Sequence, residues 1–161
     1  MFARSARVIT LFFLTSCSGT LFDSTPPQLK LTLTKLANNY LSQITLGNEK
    51  QFADMVYWPE FLGTGSSRIT RDELDKQFRA CFQRWSMYRE NPNAHPLVGL
   101  KVSSLTSDDN YGEIRLKKSP PTPGEPLTEI RIKFIWEGTG WIIREDSLFG
   151  KDKYCSQYVG K

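Results

Sequence analysis

The chain has 161 residues, 39% hydrophobic and 24% charged, with a formal net charge of +4. That is enough chain for one domain with its own core, and too little positive charge for a nucleic-acid-binding face. With one histidine and three scattered cysteines, no metal centre and no cofactor are expected.

The N-terminus comes first. Arg4 and Arg7 precede an apolar stretch, Val8 to Leu14, far short of the ~20 residues a helix needs to cross a bilayer. It has the size of a secretory leader. Thr15, Ser16, Ser18 and Gly19 are small residues flanking Cys17. Leu14-Thr15-Ser16-Cys17 resembles a bacterial lipobox, whose cysteine is lipidated and becomes the new N-terminus. The resemblance implies a signal peptide over residues 1–16, fatty chains such as palmitate on Cys17, and a tether over 17–28. Each buried methylene contributes about 0.8 kcal/mol, so two or three chains hold permanently. Ser18 stands where an aspartate would resemble an inner-membrane retention signal, so the resemblance implies the outer membrane, facing the periplasm. The alternative is a short secretory leader with an incidental cysteine. Removing residues 1–16 leaves 145 residues and takes away two arginines, for a mature charge of about +2.

Cys81 and Cys155 remain, an even pair in an oxidising compartment. A disulfide between them is expected; the alternative is a reactive thiol. A bridge would close a long loop and stabilise the fold by roughly 4 kcal/mol.

From Leu29 onward a single domain, residues 29–161, is expected. Leu33, Leu36, Ala37, Tyr40, Leu41 and Ile44 recur at spacings of three and four, one helical stripe. Gly47 suits a left-handed cap. Asn48 caps a short second helix with Phe52 and Val56 inward, ended by Pro59. Thr70 and Glu73 form a capping box for a third helix, with Leu74, Phe78, Cys81 or Phe82, and Trp85 on one face. Pro92 and Pro96 stop it. The period then changes to two. "LVGLKVSSL", "YGEIRLKK", "LTEIRIKFIW" and "WIIREDSLF" read as antiparallel strands. "SPPTPGEP" links two of them, and residues 150–161 read as a polar tail.

Helices first, then an antiparallel sheet, is an α+β layout. "LANNYLSQITLGNEKQFADMV" and the closing hairpin "IRIKFIWEGTGWIIRED" resemble the cystatin-like cone of the nuclear transport factor two-like superfamily, which includes ketosteroid isomerase and polyketide cyclases. The resemblance implies N-terminal helices on a curved antiparallel sheet and a cavity between them. It does not give a function, because this fold hosts enzymes, binders and structural parts.

Ile130, Ile132, Phe134 and Trp136 share one strand face, Arg131 and Lys133 the other. The apolar face is expected to meet Phe78, Phe82 and Trp85, as an ordinary core or as a pocket that Tyr40 could also line. Tyr57, Trp58 and Phe61 crowd around Pro59, either sealing the cone or forming a partner patch. Strand alternation points Glu145 inward, the best candidate acid–base residue. His95 sits between prolines with no ligand partner nearby.

These observations point to a lipid-anchored, non-catalytic envelope protein that binds a protein partner or a small apolar ligand. The alternatives are an isomerase- or cyclase-like enzyme using Glu145 with Tyr40 or Tyr57, and a purely structural envelope component.

Overall fold

The computed structural model describes residues 26–88, 90–118 and 127–160. The expected leader, Cys17, the expected tether through residue 25 and the proline-rich link at 119–126 lie outside the described residues.

The architecture is α+β: helices, then one four-stranded antiparallel sheet. Helix α1 spans Pro27–Leu46, two residues earlier than expected, because proline at the first helical position has no amide to lose. It buries Leu33, Ala37, Tyr40, Leu41 and Ile44, the expected stripe with Leu36 at its margin. Gly47 caps it at φ 68°. Asn48 caps α2, Glu49–Asp54. Pro59 does not end α2. It sits at the second position of a further helix, α3, Trp58–Phe61. The capping box of Thr70 and Glu73 opens α4, Arg71–Trp85.

The strands are β1 (Leu100–Ser107), β2 (Tyr111–Lys118), β3 (Glu129–Trp136) and β4 (Trp141–Asp146), in that spatial order. Ile114 and Leu116 of β2, Ile130, Ile132 and Phe134 of β3, and Ile143 of β4 are fully or almost fully buried under the helices. The opposite face carries ion pairs: Arg115 with Glu113, Lys117 with Glu129, and Lys133 with Glu145. The outer edge of β4 is occupied by a parallel bridge between Val56 and Ile143, closed by Tyr57 N–H to Ile143 C=O (2.6 Å) and Ile143 N–H to Met55 C=O (3.0 Å).

Two contacts fix how α1 crosses the sheet. Leu33 lies so close to the start of β2 that a Cβ on Gly112 would sit 2.8 Å from its Cδ1. Two turns later the Tyr40 hydroxyl donates to Asp146, whose register partner is Ile132 in the middle of β3. Helix α1 therefore starts at the end holding the β1–β2 turn and the β3–β4 hairpin. It runs to the opposite end over about 30 Å, at 1.5 Å per residue.

The aromatic stripe of α4 meets α2 and the chain after β4. Phe52 is the hub, with Tyr40 (5.6 Å), Phe78 (5.0 Å), Phe149 (5.4 Å) and Phe61 (5.8 Å) around its ring. The stretch expected as a polar tail folds into a short 3-10 helix, Tyr154–Tyr158, with Cys155 fully buried and bonded to Cys81 of α4.

Candidate functional site

The sheet register decides which carboxylate points inward. Between the Phe134–Ile143 and Lys133–Glu145 pairs, β4 carries one extra residue, Arg144. This bulge shifts the alternation by one position. Glu145 falls on the outer face, held by Lys133 (2.7 Å) and Lys153 (3.2 Å). Burial pushes its carboxyl up, but the two lysines outweigh burial and hold it below the usual range. The inward expectation for Glu145 is thus corrected: Asp146 takes that place, 3% exposed. Asp146 accepts from Tyr40 Oη (2.6 Å) and from the amides of Leu148 (3.0 Å) and Phe149 (2.9 Å). Burial raises the Asp146 carboxyl above its ordinary value, more than these donors lower it. Tyr40 has no exposed surface, so the pair has no side open to a substrate.

The other expected site residues divide by location. Tyr40, Phe78 and Phe134 are core residues. Phe61 is buried beside Phe52, and Trp58 is half-buried, its indole donating to Ala53 C=O (3.0 Å) with the Arg71 guanidinium 3.4 Å above its ring. Tyr57 is half-buried in the stretch that bridges β4. Trp136 shares the apolar strand face but lies beyond the end of the core, 39% exposed and edge-on to Trp141 at 5.7 Å.

Phe82 and Trp85 line an apolar crevice of about 230 Å³ at the end of the sheet opposite the β3–β4 hairpin. Its other walls are Thr45 and Leu46 from the end of α1, Ser86, Tyr88, His95 and Val98. Leu46 and Val98 are exposed in these walls. The floor is built from rings: Trp85 packs on His95 (5.3 Å) and on Tyr154 (6.2 Å), and Tyr88 meets His95 at 5.6 Å.

His95 is the residue the sequence left in a loop. It is 4% exposed, held by the turn after the short helix Pro92–Ala94. Its Nδ1 accepts from the Leu97 amide (3.1 Å), which places the proton on Nε2. Nε2 is buried without a hydrogen-bond partner among the described residues. Burial first, and the Lys118 charge second, hold the imidazole below its ordinary pKa, so it is neutral at pH 7. The crevice is thus mainly apolar, with His95 Nε2 and Trp85 Nε1 buried in its walls. No group of three or more metal-ligating side chains occurs among the described residues.

Gly47 forms part of the same corner. At φ 68° any side chain is strained, and a Cβ there would fall 1.9 Å from the Phe82 ring. Gly47→Ala should cost about 2–3 kcal/mol, from the left-handed backbone and from displacing the ring. Urea unfolding checks this. In a Phe82→Ala background the same change should cost only about 1 kcal/mol, the backbone part alone.

Comparison with family models, curated proteins and solved structures returned no match to this chain.

Proposed function

We propose that this chain is a lipid-anchored periplasmic accessory protein of the bacterial envelope, held at the outer membrane, and that it binds a protein partner through the crevice at Phe82, Trp85 and His95. The leader and the lipobox-like Leu14–Cys17 support the anchor. The order of long helix, Gly-Asn break, short helix and closing antiparallel hairpin supports a nuclear transport factor two-like cone as the finer fold assignment.

The observation that carries the binding role is the crevice with its rim. Its volume of about 230 Å³ is below the roughly 300–1,000 Å³ of sites for small ligands. It matches one large side chain. Leu46 is 70% and Val98 38% exposed in its walls, an apolar rim of the kind that surrounds an anchoring residue at an interface. A partner would insert one aromatic or branched side chain.

A photo-crosslinking residue in place of Val98, introduced in cells, should give a discrete protein adduct. The same probe in place of Arg131, on the outer sheet face, should not. Leu46→Glu should reduce the Val98 adduct at least ten-fold while leaving the unfolding midpoint within error. Identical adducts from both positions, or lipid adducts alone, would remove the partner role.

A further inference from the structure

We propose that the hairpin end of the domain is its membrane-contacting face, with Trp136 and Trp141 seated in the headgroup layer of the leaflet that holds Cys17. The inference rests on the lipid-anchored reading and adds an orientation to it.

Along most of the sheet one face is core and the other is a ladder of ion pairs. At the hairpin end this division stops. On the helix side, Trp136 and Trp141 pair across the last rung, Trp141 half-buried against the margin of the core and Trp136 exposed beyond it. On the outer side, Tyr111, Ile135 and Ile142 occupy one row across β2, β3 and β4, with Tyr111 44% exposed. On that outer side the Arg144 guanidinium lies over the Tyr111 ring at 4.9 Å, so the row is aromatic and aliphatic with one cation beside it, and three of the five side chains are rings with a polar handle. Such side chains prefer the boundary between lipid and water.

The path of the chain selects the occupant. Helix α1 begins at this same end, at Pro27. Eight residues separate Pro26 from Cys17. At 3.3–3.6 Å per residue they span at most about 30 Å. A lipid on Cys17 holds the hairpin end within reach of the leaflet and leaves the crevice about 30 Å further away, facing a partner. Asp108, Asp109 and Glu137 are exposed at the hairpin end. Contact therefore proceeds by aromatic partitioning rather than by attraction to anionic lipid, and salt does not release it.

The test uses the mature chain as the cell makes it, reconstituted into vesicles of phosphatidylethanolamine and phosphatidylcholine brominated near the top of the acyl chains. Brominated lipid should quench the tryptophan emission at low and high salt alike. Trp136→Ser and Thr139→Glu should each reduce the quenched fraction at least two-fold, with unchanged circular dichroism. No quenching in the wild type, or variants quenched to the same extent as the wild type, would overturn the proposal. Protection of Trp136 in native membranes but not in protein-free vesicles would overturn it too, assigning this face to a protein. The mass of the N-terminal peptide, read on the same sample, separates the two ideas. A lipidated chain with Trp136 unquenched loses the orientation and keeps the anchor. An unlipidated chain quenched through Trp136 keeps the orientation and loses the anchor.

Discussion

Replacing both half-cystines, Cys81→Ala with Cys155→Ala, should lower stability by about 4 kcal/mol in the chain-entropy account of a 74-residue loop. For a domain held by about 5–15 kcal/mol this is a large share. The bridge joins α4 to the 3-10 helix Tyr154–Tyr158, and that helix carries Tyr154 onto Trp85, the floor of the crevice. Local contacts also hold the segment, with the Cys155 amide donating to Leu148 C=O at 2.7 Å. Loss of the bridge should therefore loosen the segment before the whole domain opens, and expose Trp85. Urea unfolding monitored by tryptophan emission checks both points: an earlier midpoint, and a steeper dependence on urea because the unfolded chain is no longer looped. A loss below about 1 kcal/mol would show that packing alone holds the two segments together.

Much of this arrangement is legible in the sequence, for reasons that act over a few residues. The α1 stripe, the Gly47 cap, the Asn48 cap and the Thr70–Glu73 capping box are local patterns, and the structure reproduces each. The pairing of Cys81 with Cys155 followed from there being two cysteines left. What the sequence hid depends on neighbours in space. Strand alternation assigns Glu145 to the core, but a single extra residue at Arg144 reverses the alternation, and nothing in "WIIRED" announces a bulge. Trp136 continues the apolar face of β3, and strand alternation does not tell that it lies beyond the packed core, 39% exposed. His95 lies among prolines in a stretch with no period. Its burial comes from Trp85 and Tyr88, which belong to α4 and its continuation. The candidate site was visible as two of its residues, Phe82 and Trp85, and invisible as a crevice.

Asp146→Ala should cost about 4 kcal/mol, because it strands the Tyr40 hydroxyl and the Leu148 and Phe149 amides without an acceptor in the interior. Asp146→Asn tests the charge separately from the shape. Its carbonyl oxygen can still accept from the two amides, and its NH₂ can donate to Tyr40 Oη, so the fold should lose much less. The pH dependence carries a definite sign. Burial raises the Asp146 carboxyl in the folded state above its value in the unfolded chain. The native state therefore binds the proton more tightly than the unfolded state does. Its contribution is fully present below the unfolded pKa, near 3.8, and declines as pH rises through the folded pKa. Glu129 and Glu145, with lowered carboxyls, contribute the opposite trend in both proteins. The stability of the wild type minus that of Asp146→Asn should then fall as pH rises and level off above the folded pKa. Urea unfolding of the two proteins side by side from pH 3 to 8 measures that difference. A difference that grows with pH would mean the three donors outweigh burial and the native carboxylate is the preferred, ionised form. Tyr40→Phe removes the shortest of the donors. It should raise the Asp146 carboxyl further and move the decline to higher pH, a shift that loss of packing alone would not produce.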